Sequence, residues 1–408
     1  MLSIEGNIVS TNRVFRGRIQ IDNRGMISKI GSPTGEADFI FKDELIFPGF
    51  IDLHVHARED MSHTQEYKED FISAGEAAIN GGVTLFAEMP NNPIPPIDDT
   101  SYQAKKELAK KSPVTVLLYA GIGSKTAPLN KKVPYKVFMG PSVGELFFTG
   151  SEDLEKAVAK YHGQNASFHC EDPKILEENS KASSHESKRP KEAEISAVDF
   201  AIELIEKYDL TGKICHCSTT QGMQKIIEAK ARGVKISVEV TPHHLYFDET
   251  MIKDFKRVEF QVNPPIRQTK ENRLALIEML KKGDIDYLAT DHAPHSVEEK
   301  EKGISGLTHL DTYGPFVSWL MKEHGFTEEE IAKVCSLNPG NFINEFVEGK
   351  YGSIEEGYIG SLTVIDMKKP IKVEKEMLKT KCKWSPFLGI TFPGSVVMTV
   401  IKGKVYGK

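Results

Sequence analysis

Phe47-Pro48-Gly49-Phe50-Ile51-Asp52-Leu53-His54-Val55-His56-Ala57-Arg58 opens on a Pro-Gly turn and continues with alternating apolar residues. That period is the signature of a strand with one face buried. Residues two apart in an extended strand share a face, so His54 and His56 present their imidazoles side by side. Such a pair at a strand's end is half of a transition-metal site. Taken alone, it reads equally well as one packed and one solvated histidine.

Downstream of this stretch, apolar runs alternate with amphipathic ones. Strands are expected at 50–56, 83–90, 114–120, 135–139, 166–170, 213–218, 235–241 and 285–291, with helices at 70–80, 100–110, 151–162, 191–207 and 219–232. Near-continuous apolar strands separated by helices imply a parallel sheet. Eight such units match the size of a closed α/β barrel, about 250 residues. An open doubly wound sheet is the competitor, but no G-x-G-x-x-G follows a strand. The expected fold is therefore a (β/α)8 TIM-like barrel over residues 47–351. Short strands before it (8–10, 14–21, 26–30) and after it (357–366, 396–406) are too few at either end for a separate core. Together they predict a small β-sandwich domain built from both termini, 1–46 plus 352–408.

A barrel gathers function at the C-terminal ends of its strands, and the chemistry-bearing residues fall there. The first strand ends in His54 and His56, the fourth carries Lys136, the fifth ends in His169, the sixth carries His216 and the eighth ends in Asp291-His292. Any one of these histidines reads as a neutral core residue, but the joint placement does not. His54, His56 and Asp291 suffice for one metal, and His169 and His216 for a second, with open positions for water. Two close dications need a bridging anion. Lys136 is either a lysine reaching solvent or a buried neutral amine, which adds carbon dioxide to become a bridging carbamate.

The bulk numbers are ordinary for a soluble globular protein. The 408 residues are 39% hydrophobic and 27% charged with a net charge of -6, which excludes a mostly disordered chain and argues against a bulk-electrostatic nucleic-acid binder. No apolar run is long enough for a bilayer, and no signal peptide is evident. Five cysteines, scattered and odd in number, point to a reducing cytoplasm. Cys215-His216-Cys217 reads as strand packing rather than a zinc knuckle.

The chain resembles the amidohydrolase superfamily and, within it, the dihydroorotases. Its motifs are the opening stretch, Gly81-Gly82-Val83-Thr84, Met89-Pro90-Asn91-Asn92, Val262-Asn263-Pro264-Pro265-Ile266-Arg267 and Ala289-Thr290-Asp291-His292-Ala293-Pro294-His295. The resemblance implies two zinc ions per subunit, bridged by a carboxylated Lys136. It also implies reversible hydrolysis of a cyclic amide, dihydroorotate, to N-carbamoyl-L-aspartate, with Asp291 as the proton carrier. Arg58 lies on the His56 face and suits a substrate carboxylate. The resemblance adds Asn91 and His295 to that carboxylate, Asn263 to the ring and Gly303 as a backbone contact. His243 and His244 are expected to support the site rather than ligate. Residues 181–189 and 298–303 are expected to be solvated loops, the latter as part of a cover. The pattern loosens at Ala57, often leucine in the family, and at Thr308, often acidic. Hydantoinase-like, dihydropyrimidinase-like or allantoinase-like activity is the nearest rival, and a metal-free scaffold a more distant one. The expected partner is a small-molecule substrate, with neither nucleic acid nor membrane. A homo-oligomer using helix faces such as 331–334 stays open.

Overall fold

The computed structural model describes residues 1–407 apart from Thr34, residues 142–145, Phe255 and Lys256, and it describes no side chains at 253–258. The chain begins with four strands, β1 (Leu2–Val9), β2 (Val14–Ile21), β3 (Ile27–Gly31) and β4 (Phe39–Pro48). The barrel-type strands follow: β5 (Phe50–Val55), β6 (Val83–Glu88), β7 (Thr115–Leu118), β8 (Ala120–Gly121), β9 (Tyr135–Phe138), β10 (Asn165–His169), β11 (Thr211–Ile214), β12 (Ile236–Val240) and β13 (Tyr287–Leu288). The last five are β14 (Leu362–Asp366), β15 (Ile371–Lys372), β16 (Thr391–Phe392), β17 (Ser395–Ile401) and β18 (Lys404–Tyr406).

Strands β5-β6-β7 form one parallel sheet and β8-β9-β10-β11-β12-β13 another. β7 and β8 share one expected run, parted at Tyr119, whose N–H donates to Glu88 O at 3.0 Å. At the other edge Val55 bridges His292 in parallel, and His56 N–H donates to His292 O at 2.8 Å. Helices lie between the strands where the sequence pattern puts them. Phe71–Asn80 starts at Asp70, whose carboxylate accepts from Ser73 N while Ser73 Oγ accepts from Asp70 N. Such a reciprocal cap is worth roughly 1 kcal/mol. Lys191–Lys207 turns Ala197, Val198, Ala201, Leu204 and Ile205 inward at helical spacing, each larger side chain contributing about 1.5–3 kcal/mol by burial.

The chain termini do meet, but in one mixed seven-stranded sheet of order β18-β17-β14-β4-β1-β2-β3 rather than in two facing sheets. Its apolar core draws on Ile8, Ile19, Ile46, Leu362, Val364 and Val400. β4 stays in this sheet as far as Pro48, paired with Leu362, two residues past the expected boundary. The segment containing β15 and β16 departs further from the expected small domain. Val373, Leu378, Trp384, Phe387 and Phe392 join the main core instead, because Trp384 Nε1 donates to His295 O (2.8 Å) and Thr380 Oγ1 to Glu69.

Three loop and surface expectations are corrected. Residues 181–189 contain the short helix His185–Lys188, and Arg189 reaches inward to Glu171. Residues 298–303 overlap the capped helix Val297–Glu301, pinned by buried Lys300, whose ammonium donates to Gln261 O (2.8 Å) and Ile304 O (2.7 Å). Ile331 and Val334 are buried in the core, so that face is unavailable for subunit contacts. No helix among the described residues is long and apolar enough to cross a membrane.

Candidate active site

The strand-end residues converge on one pocket lined by His54, His56, Arg58, Asn91, His169, His216, Asn263 and Asp291, with Phe138, Ser305 and Gly306 at its walls. Asp291 Oδ1 stands 3.2 Å from His54 Nε2 and 3.1 Å from His56 Nε2. His169 Nδ1 lies 3.0 Å from His216 Nε2. The His54 ring is 5.2 Å from that of His216, centroid to centroid. Lys136 is fully buried beneath, with Nζ 2.8 Å from Cys215 Sγ. Among the described residues no carboxylate pairs with it.

Burial pushes the His54, His56 and His216 imidazoles well below their ordinary range, so they are neutral nitrogen donors. Burial pushes the Asp291 carboxyl up to about 7, and a dication beside it acts in the opposite sense. His54, His216 and Asp291 each place a donor atom within 4.8 Å of the others. Imidazoles and a carboxylate, crowded at 3.0–3.2 Å with facing nitrogen and oxygen atoms, fit a zinc-type ion.

Outer contacts orient these donors. His169 gives its other nitrogen to Glu171 (2.8 Å), which also takes Arg189. Burial works against the Glu171 charge, but Arg189 and His169 hold its carboxyl down at about 2. Asp52 ties the first strand to the last, accepting Thr290 N (3.1 Å), Thr290 Oγ1 and His54 N (3.1 Å). Arg58, His216 and Asp291 all adopt positive φ, 64°, 32° and 50°. Non-glycine residues held there cost energy and cluster at functional sites.

Arg58 is 2% exposed. Its Nε donates to Pro294 O (3.3 Å) and its Nη2 to His295 Nε2 (3.1 Å), while Nη1 has no partner. No carboxylate among the described residues pairs with this guanidinium. Asn91 lines the pocket, and Asn263 Oδ1 is buried without a partner. His295 sits behind Arg58 rather than on the pocket wall. Gly303 caps its turn with N–H to Lys300 O (2.9 Å) and does not line the pocket. Gly306 does, at φ 143°, where a Cβ would come within 2.4 Å of Ala293 O. His243 and His244 are buried outside the pocket, bonded to His309 (3.0 Å) and to Thr241 and Pro264 O. Thr308 donates to Trp384 O at 2.5 Å. Sequence reasoning missed Glu171, Arg189, Glu239 and Lys213. A lone charge inside an apolar strand, as in Val238-Glu239-Val240, is the signal that marks the last two.

The chain matches the amidohydrolase family over residues 45–406. Its relatives include a dihydroorotase of Thermococcus kodakarensis, 36% identical over 99% of this chain and 94% of that protein. A dihydroorotase of Pyrococcus furiosus is 31% identical over 98% and 91%. The solved L-hydantoinase (dihydropyrimidinase) from Arthrobacter aurescens has the same fold, with a TM-score of 0.90 at 23% identity, covering 100% of this chain and 96% of that one. By its sequence, over nearly its whole length, this chain belongs to the amidohydrolase family.

Proposed function

We propose that this chain is a zinc-dependent dihydroorotase, interconverting dihydroorotate and N-carbamoyl-L-aspartate, and that the seams at Tyr119 and Val55–His292 close its parallel strands into a (β/α)8 barrel. The single observation that carries the substrate is Arg58, a buried guanidinium beside the pocket with a free Nη1 and no protein carboxylate. An unpaired buried charge is costly, and a substrate carboxylate resolves it. Hydantoins and dihydropyrimidines lack that group. The relatives named dihydroorotase favour the same reading.

His54, His56, His169, His216 and Asp291 would hold two zinc ions, with Lys136 as the bridging carbamate. Burying an ammonium without a counter-charge is unfavourable, and carboxylation replaces it with an anion. Zinc in this site would supply an activated water and polarise the ring carbonyl. Arg58 and Asn91 hold the substrate carboxylate, with His295 fixing the guanidinium. The Asn263 Oδ1 accepts a ring N–H. Asp291 takes the proton of the attacking water and delivers it to the departing ring nitrogen, and in the cyclising direction it returns it.

Metal analysis combined with steady-state assays on dihydroorotate, hydantoin and allantoin tests the reading. About two zinc ions per chain and turnover confined to dihydroorotate are expected. A metal-free active chain, or equal turnover of the uncharged rings, overturns it.

A further inference from the structure

Beneath the pocket lies a second polar cluster that the proposed chemistry does not use. Glu239, on β12, is fully buried. Its Oε1 accepts from His54 Nδ1 and from the backbone N–H of His216 (3.2 Å), and its Oε2 accepts from Lys213 Nζ. Lys213, on β11, is equally buried. Its ammonium lies 5.6 Å from the ring centroid of Tyr119 and 5.9 Å from that of Phe342, below the polar layer. Burial opposes its charge, but the facing Cys215 and Glu239 hold the ammonium well above its ordinary range. His54, Cys215 and Glu239 also bring donor atoms within 4.8 Å of one another. That trio is not a further metal site, because the Lys213 ammonium bonds Glu239, and Lys136 Nζ bonds Cys215.

We infer that Glu239, with Lys213 as its counter-cation, is the positioning residue of the metal centre, setting the His54 tautomer and holding the backbone of His216 in place. The inference rests on the ligand reading proposed above. A carboxylate can only accept, so His54 carries its proton on Nδ1 and turns the Nε2 lone pair toward Asp291. The same carboxylate oxygen anchors His216 at a φ of 32°, a conformation that persists only where surrounding contacts enforce it. One oxygen thus sets two ligands, one belonging to each proposed ion. Lys213 neutralises the buried carboxylate and leaves it free to face both histidines. Glu239 touches neither substrate nor ion, so its effect passes through the two imidazoles.

The full-length chain, stripped of metal, is compared as wild type, Glu239→Gln, Lys213→Met and the double variant Glu239→Gln/Lys213→Met. The double variant removes both charges together and leaves no unpaired ion. Zinc affinity is read by chelator competition, the His54 tautomer by 15N chemical shifts, and folding by thermal melting. Wild type is expected to show His54 protonated at Nδ1. The double variant is expected to melt close to wild type, lose 10- to 100-fold in zinc affinity and show mixed His54 tautomers, with little change in KM. Wild-type His54 protonated at Nε2 overturns the inference and needs no variant to fold. So does a double variant with zinc affinity within twofold of wild type. His54→Ala separates the two readings: unchanged zinc stoichiometry there refutes the ligand set itself, whatever Glu239 does.

Discussion

Arg58 follows the His54–His56 pair at a left-handed φ, fully enclosed, with two of its three nitrogens engaged by Pro294 and His295. The contacts leave Nη1 without a protein partner, which is the ground for proposing Arg58 as the selector of an acidic ring. In the proposed role, replacing it with alanine removes a charged hydrogen bond to the substrate carboxylate, worth about 1.5–3 kcal/mol. Arg58→Ala is expected to lower kcat/KM for dihydroorotate by about 10- to 100-fold, with zinc content unchanged. Steady-state kinetics alongside metal analysis checks this, and unchanged kinetics refutes the role. The histidines, Asp291 and Arg58 were legible because each ends a recognisable strand. Their supports were harder to read: Glu171 takes Arg189 from a later loop and Glu239 takes Lys213 from the neighbouring strand, and only the lone charges inside apolar strands hint at the latter two.

At the scale of elements, most strands and helices were legible within a residue or two, as in Lys191–Lys207, but the runs 213–218 and 285–291 hold only the shorter strands Thr211–Ile214 and Tyr287–Leu288. Charged stretches misled. Lysine and glutamate at 298–303 suggest solvent, yet the capping box of Ser296 and Glu299 starts a helix there, and Lys300 turns inward from it. Burial pushes the Lys300 amine from an ordinary 10.5 down to about 7. Between those values the unfolded chain holds a proton that the folded chain has lost, so stability rises with pH across the window. Below pH 7 both states are protonated and the full penalty of the buried charge remains. The slope reaches about 1.4 kcal/mol per pH unit for one such group. Melting followed between pH 7 and 9 is expected to show Lys300→Met gaining less from alkali than wild type. Parallel curves refute the assignment.

For the molecule as a whole, the strand pattern specified a parallel α/β layer and the joining of the termini, but not how they join. A single mixed sheet forms because β4 pairs with β1 in parallel on one edge and with β14 in antiparallel on the other. Ions that bind only the folded site stabilise it, by about 2.7 kcal/mol at a hundredfold excess over Kd. Chelation is therefore expected to lower the melting temperature, and restoring zinc to recover it. A melting temperature indifferent to chelation refutes zinc binding by the folded site. The union of the two ends has a consequence for biosynthesis. Phe50 N–H bonds Thr363 Oγ1 (3.1 Å) across 313 positions, and Thr363 Oγ1 in turn bonds Gly82 O (2.6 Å). A ribosome working from the N-terminus makes β1, β4 and β5 long before it makes their partner. The histidine pair that begins the site thus waits, attached to a half-built sheet, until the chain 313 positions beyond Phe50 has been made.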